Sequence, residues 1–442
     1  MQQKFSNHIN TKFPFLKDKK LLIAISGGVD SVVLTHLLSI LNFNISLAHC
    51  NFKLRKKESD LDENFVLKLG EKLNIKTFTR QFETNKFAQK NKLSTQIAAR
   101  KLRYNWFESL VNKHQFEYVL TAHHADDNLE TFLINLTRGT GLDGLTGIPE
   151  TNGNILRPLI PFSRNEIIDF AKENDIKWRE DQSNASTKYI RNKIRHQVVP
   201  VLKEINPSVL ETFAKTTNHL KESQQIIEDR IQKVSKEIIQ KDFSTSLEMT
   251  KLNIDKINQL SNPKAYLYQF FKDYNFTEWN DVYNLLSAQS GKQVFSKTHV
   301  LLKDRNFLIL TKKGFSTEQE TIVEIVENTT EITSPIHLKF ETVKNPSLHS
   351  KEIIFLDKNE LEFPLKLRKW QNGDVFYPSG MQGKKKISKY FKDEKLSLID
   401  KQNTWLLCNN NDSIIWIIGH RSDNRFITKK ESNSVLKISL VI

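Results

Sequence analysis

The stretch Leu21-Leu22-Ile23-Ala24-Ile25-Ser26-Gly27-Gly28-Val29-Asp30-Ser31 decides the reading of this chain. Its first five residues are uniformly apolar, as in a strand buried on both faces. Beyond Ser31, the residues Val32, Val33, Leu34, Leu37, Leu38 and Leu41 recur at helical spacing. Strand, tight loop and helix therefore follow in that order. Two glycines let the backbone turn sharply and approach a ligand closely. A helix starting there aims unpaired N–H groups and its positive dipole end at whatever the loop holds. Such a loop suits a phosphate. A Ser/Gly turn that merely joins two elements would read the same way in isolation. The loop has neither the Gly-Lys-Ser/Thr of a Walker A motif nor the G-x-G-x-x-G of a dinucleotide fold.

Outward from the loop, Ile45–His49, Ile75–Phe82 and Tyr118–Ala122 read as further strands, and residues 61–73 and 94–112 as helices between them. That alternation predicts an α/β fold with a parallel sheet. Ligands of such sheets sit outside the C-terminal ends of the strands. Three polar clusters fall at those ends: Ser26–Ser31, His49 with Asn51, and His123–Asp127. Residues 137–147 form a glycine-dense loop, and Arg191 and Arg195 lie one helical turn apart. Those arginines read either as phosphate contacts or as a solvated helix face.

The chain has 442 residues, so two or three domains are expected. A long polar helical pattern fills Pro200–Gln240, a Glu/Thr-rich stretch spans 316–334, and the last hundred residues look mostly β. Boundaries near 205 and 335 follow: 1–205, 206–335 and 336–442. A charged fraction of 26% beside a hydrophobic fraction of 38% fits a globular chain. The formal charge of +15 points to a polyanionic partner such as nucleic acid. A Lys- and Asn-rich composition would give the same excess without one. Lys384, Lys385 and Lys386 form a basic patch beside Tyr390 and Phe391, suited to an RNA backbone and a stacked base, or to solvent alone. Cys50 and Cys408 are far apart and make no C-x-x-C, so neither a disulfide framework nor an iron–sulfur cluster is expected. The N-terminal residues lack a signal-peptide core and no run reaches membrane-spanning length; a cytoplasmic protein with no membrane partner is expected.

Ser-Gly-Gly-x-Asp-Ser after a strand resembles the pyrophosphate loop of the N-type ATP pyrophosphatases, the PP-loop superfamily with its adenine-nucleotide α-hydrolase-like fold. The resemblance narrows through motifs that occur in order. They are His49-Cys50-Asn51-Phe52-Lys53-Leu54-Arg55, Ala99–Tyr104, Thr121–Thr131, Arg138–Leu145, Trp178–Asn184 and Arg191–His196. Together they resemble the tRNA(Ile)-lysidine synthetases. The likeness is strongest over the first two hundred residues and returns at Arg368–Asp374 and Gly383–Phe391. It departs at Phe52, where the family usually has a second histidine, and at Gln96, where it often has Glu. No role for that histidine carries over.

The resemblance implies a PP-loop catalytic domain, a helical linker and tRNA-contacting middle domain, and a C-terminal tRNA-binding domain. It implies ATP and Mg²⁺, L-lysine, and a tRNA(Ile) with a CAU anticodon. O2 of the wobble cytidine attacks the α-phosphate of ATP, and the ε-amine of lysine then attacks C2. Ser26, Gly27, Gly28, Val29, Asp30, Ser31 and His49 would contact ATP, with Asp30 ordering the loop or Mg²⁺. Asp30, Arg103, His123, Asp127 and Glu130 would be catalytic, with Arg100 an alternative to Arg103 and His124 to His123 as stabilisers of the phosphate charge. Asp127 and Glu130, together with Arg191, Arg195 and Lys384–Lys386, would bind substrates. A homodimer is compatible with the resemblance, though no residue pattern fixes the oligomeric state.

Overall fold

The computed structural model describes residues 1–55, 57–180, 190–242, 249–313, 322–344, 349–429, 432 and 434–441. Asp181–Asn184 of the Trp178–Asn184 motif, and part of the Glu/Thr-rich stretch, lie outside these. The chain divides into two compact units, Met1–Asp229 and Arg230–Ile442.

The first unit is built on a six-stranded sheet of β1 (Leu21–Ala24), β2 (Ile45–Asn51), β3 (Thr77–Gln81), β4 (Tyr118–Leu120), β5 (Thr151–Asn152) and β6 (Ile155–Leu156), in the order β3-β2-β1-β4-β6-β5. All neighbours are parallel except β5 and β6. Leu21 sits opposite both Ile45 and Tyr118, so β1 lies between the second and fourth strands in sequence. The chain leaves β1 toward one edge and returns on its other side. That reversal opens a crevice at the C-terminal end of β1, where the Ser26–Ser31 loop lies.

Leu21, Leu22 and Ile23 are all fully buried, as a strand covered on both faces requires. The first six helices, in chain order, are α1 (Gln2–Lys12), α2 (Val29–Ile40), α3 (Lys57–Lys72), α4 (Thr84–Lys90), α5 (Thr95–His114) and α6 (Ala125–Arg138). Leu21 and Ile23 pack with Val32, Val33 and Leu37 of α2 and with Phe5 and Ile9 of α1. Leu22 turns the other way, into a cluster with Trp106, Phe107 and Leu110 of α5. The expected strands and helices are present, with three strands trimmed, Leu21–Ile25 to Leu21–Ala24, Ile75–Phe82 to Thr77–Gln81 and Tyr118–Ala122 to Tyr118–Leu120, and Ile45–His49 extended to Ile45–Asn51. The long polar pattern after Pro200 is two helices, Val199–Ile205 and Val209–Ile238. They break at Asn206, which takes an extended backbone before Pro207, where that proline disfavours helix.

The second unit is mostly antiparallel. Its five-stranded sheet contains a hairpin, with His299–Asp304 against Phe307–Lys312 and Leu301 opposite Leu310. Helices Pro263–Phe271 and Trp279–Asn284 accompany that sheet. Two four-stranded sheets follow, one including Leu365–Lys369, Trp405–Cys408 and Ile414–Ile417. Lys385–Lys386 form a short strand leading into helix Ile387–Asp393.

Candidate functional site

The glycines of the loop differ. Gly27 has φ +93°, a conformation that disfavours side chains, whereas Gly28 has φ −73° and begins α2 as its N-cap. Gly28 brings no capping side chain, so the first amides of the twelve-residue α2 face the crevice with its dipole behind them. Ser26 and Ser31 tie the loop together. Their hydroxyls lie 3.2 Å apart, Gly28 N donates to Ser26 Oγ at 3.2 Å, and Ser31 Oγ donates to Gly28 O at 3.0 Å. The expected ATP contact His49 is buried, and its Nδ1 lies 3.0 Å from Ile25 O, bracing the strand before the loop. Burial lowers its pKa, so it is neutral at pH 7.

Asp30 is on the first turn of α2. Its buried Oδ1 makes no hydrogen bond, and His124 Nε2 is 3.7 Å away. Burial raises its pKa; His124 opposes the shift and Asp127 adds to it. His124, the N-cap of α6, accepts from Asp127 N and stands 3.4 Å from Asp127 Oδ2. Sequence reasoning offers His124 as an alternative to His123 but not as a cap, because histidine is outside the residues that usually signal one.

Asp127 and Glu130 share the buried face of α6, as their spacing suggests, and both meet Arg195. Arg195 Nε donates to Glu130 Oε1 at 2.6 Å, and its Nη2 to Asp127 Oδ1 at 2.9 Å. Burial alone would raise the Asp127 pKa, but His124, His123 and Arg195 outweigh it and leave a carboxylate below the ordinary range. Burial raises the Glu130 pKa against the pull of Arg195. Arg195 thus spends its charge on protein carboxylates. Arg191 donates to Thr131 Oγ1 at 2.7 Å and is partly exposed. The residues 190–198 are one helical turn followed by a π-helical one, so the two arginines do not share a regular α-helical face.

His123 Nδ1 lies 3.0 Å from Thr121 Oγ1, and burial lowers its pKa to about 4. It is a neutral ring at pH 7. Arg103, exposed on α5, places its guanidinium 5.3 Å from the centroid of Phe52. A cavity of about 270 Å³ is lined by Ser26, Asp30, Phe52, Arg103, His123 and Asp127. On the other side of the loop, Asp62 bridges Arg55 Nη2 at 2.7 Å and Arg179 Nε, and Arg179 N donates to Gly27 O at 3.0 Å. Sequence reasoning missed this clamp, since Asp62 and Arg179 are 117 positions apart. A cavity of about 890 Å³ lies between the clamp and Arg195.

In the second unit, Lys384 and Lys386 are exposed. Lys385 pairs with Asp393 at 2.7 Å and lies 5.6 Å from the Tyr390 ring centroid. Its charge is partly spent on the helix that follows it. Burial pushes the Cys50 and Cys408 thiols up to about 12, away from the thiolate a sulfur-transfer reaction would need.

Residues 1–202 match a family model described as the PP-loop domain. Residues 246–313 match the TilS substrate binding domain, and 365–439 the TilS substrate C-terminal domain. The tRNA(Ile)-lysidine synthase of Parabacteroides distasonis is 38% identical over 96% of both chains. That of Bacteroides thetaiotaomicron is 37% identical over the full length of both.

The chain belongs to the tRNA(Ile)-lysidine synthase family.

Within that family, the Bacillus subtilis enzyme retains 28% identity over 91% of this chain and 90% of its own. For a tRNA(Ile)-lysidine synthase fold, the sheet order explains why the motifs after β1, β2 and β4 meet at one crevice, and the Arg191–His196 segment joins them by packing against α6.

Proposed function

We propose that this protein ligates L-lysine to C2 of the wobble cytidine in a CAU-anticodon tRNA(Ile), using ATP and forming lysidine. The carrying observation is the cavity that joins the phosphate loop at Ser26 and Asp30 to Arg103, His123 and Asp127. The reading assigns the crevice to ATP and the adjoining carboxylates to lysine.

In the first step O2 of cytidine attacks the α-phosphate, and pyrophosphate leaves. The amides at the start of α2 stabilise the charge that accumulates on the leaving phosphates. Arg103 carries a full positive charge to the reacting phosphate. Asp30 is the residue to hold Mg²⁺: one carboxylate with an unbonded oxygen fits an ion whose remaining ligands are phosphates and water. When bound, that ion supplies charge neutralisation on the phosphates. No cluster of three or more His, Cys, Asp or Glu side chains suited to a metal occurs among the described residues.

In the second step the lysine ε-amine attacks C2, AMP leaves with the former O2, and the amine loses its protons. Asp127 and Glu130 both bond to Arg195, and Arg191 Nε lies 3.9 Å from Glu130 Oε2. His123, neutral at pH 7, is available to accept a proton from the attacking amine. Lys384 and Lys386 supply exposed cations for tRNA phosphates.

We place the three functional segments at 1–205, 206–335 and 336–442, and the reaction in the cytoplasm with its tRNA. No helix among the described residues is long and apolar enough to cross a membrane. The test is incubation with ATP, radiolabelled lysine and a CAU-anticodon tRNA(Ile). Label is expected in RNA, with AMP and pyrophosphate in equal amounts. Folded protein that binds ATP and this tRNA yet fixes no label overturns the proposal.

A further inference from the structure

We propose that Phe52 is a positioning residue for Arg103: its ring holds the guanidinium at the mouth of the site without neutralising it. The inference rests on the proposed role of Arg103 at the reacting phosphate.

The arginines around the crevice are held in different ways. Arg55 and Arg179 bond to Asp62, and Arg195 bonds to Glu130 and Asp127. Each of these charges is met by a carboxylate. Among the described residues no carboxylate pairs with Arg103; what lies beneath its guanidinium is the Phe52 ring, at 5.3 Å. An aromatic face attracts a cation through its quadrupole and leaves the net charge intact. A carboxylate in that place would orient the arginine equally well and cancel what the phosphate requires.

The ring itself is fixed. Phe52 stacks on Phe82, with centroids 5.7 Å apart and planes 22° apart. Phe82 is buried and meets Trp106 edge-on at 6.1 Å. Trp106 and Arg103 both belong to α5, so the stack begins and ends on one helix. The backbone of Phe52 is held as well: Thr84 Oγ1 donates to Phe52 O at 2.9 Å. Phe52 and Arg103 together line the cavity that contains Asp30, His123 and Asp127, and also the adjoining cavity of about 730 Å³ beside His49. A residue that only filled the core would have no need to present its face to an arginine there.

The experiment compares Phe52→Leu with Phe52→Tyr, alone and combined with Arg103→Ala, in the full-length protein. Phe52→Leu keeps an apolar side chain and removes the π face. It is expected to lower kcat for lysidine formation by about tenfold while KM for ATP stays within about twofold. Phe52→Tyr, which keeps the face, is expected to restore most of the rate. In the Arg103→Ala background Phe52→Leu is expected to have no further effect. Equal losses from Phe52→Leu with and without Arg103 would overturn the proposal, as would a Phe52→Tyr protein as slow as Phe52→Leu. Urea unfolding of wild type, Phe52→Leu, Arg103→Ala and the double variant, without substrates, separates this inference from the proposed reaction. Coupling between positions 52 and 103 in that cycle supports the contact even if no lysidine is made. Absence of coupling overturns it even if lysidine is made.

Discussion

Arg195 Nε donates to Glu130 Oε1 at 2.6 Å, so the most deeply buried carboxylate of the site is already paired. The pair is a structural commitment as well as part of the proposed lysine site. A buried ion pair is weak evidence of net stabilisation, but breaking one from one side is costly.

Arg195→Ala should therefore destabilise the protein by about 3–5 kcal/mol, because Glu130 and Asp127 would be left buried without their partner. Arg195→Ala combined with Glu130→Gln should recover part of that loss by removing one orphaned charge. Urea unfolding of the two proteins checks both statements. A loss below about 1 kcal/mol in the single variant would mean that water replaces the guanidinium freely.

The two loop glycines should behave differently. Gly27→Ala forces a side chain into φ +93°, at a cost of about 1–3 kcal/mol, and should distort the phosphate cradle. At Gly28 an added Cβ would meet Ser26 Oγ at 3.4 Å with an ordinary φ, so Gly28→Ala should change stability by less than about 1 kcal/mol. ATP–pyrophosphate exchange beside thermal unfolding distinguishes the positions. Equal thermal losses at both would remove the backbone explanation.

What the sequence made legible follows from how local each signal is. The strand, loop and helix around Ser26–Ser31 are contiguous, and alternation of apolar runs set out the parallel sheet. Asp127 and Glu130 were visible as a pair because they are three positions apart. The partner of that pair was not: Arg195 lies 65 positions from Glu130 and bonds to it only because the 190–198 segment packs on α6. The capping role of His124 was hidden for a chemical reason, since it uses a ring nitrogen where a hydroxyl or carboxylate is usual. The basic run 384–386 read as three equivalent lysines, and only the fold distinguishes Lys385, which Asp393 holds.

That distinction predicts unequal effects on tRNA binding. Lys384→Glu and Lys386→Glu should each weaken binding and lower the slope of log Kd against log salt by about one for every phosphate left without its lysine. Lys385→Ala should have a smaller effect on the slope, because that charge is shared with Asp393. Binding titrations across a salt series measure the three slopes. Slopes unchanged in all three variants would make the patch solvated surface only.

His123 should leave a pH signature in stability. Its pKa falls from 6.5 in the unfolded chain to about 4 in the folded one. Between those values the unfolded state binds the extra proton, so stability rises with pH and is lost as pH falls from 6.5 toward 4. The full window corresponds to roughly 3 kcal/mol. Wild-type protein should lose more stability than His123→Asn between pH 7 and pH 5. Parallel pH profiles for the two proteins in urea unfolding would show that His123 is not held neutral by burial.

Asp30 offers the sharpest separation of function from stability. Burial and the neighbouring Asp127 both disfavour its charged form, and its Oδ1 makes no hydrogen bond in the folded protein. Asp30→Asn removes that charge while nearly preserving shape. The variant should be at least as stable as wild type, gaining up to about 1 kcal/mol, because a strained carboxylate is kept for its chemistry rather than for the fold. Lysidine formation should fall by about a thousandfold or more, the scale associated with removing a key electrostatic interaction with reacting phosphates. Binding of tRNA should be unaffected, since Asp30 lines the crevice cavities of the first unit and the lysines proposed to hold tRNA phosphates belong to the second. Unfolding midpoints, tRNA affinity and single-turnover rates on the same preparation read all three quantities. A variant that is both less stable and fully active would reverse the assignment, making Asp30 a structural residue of the loop.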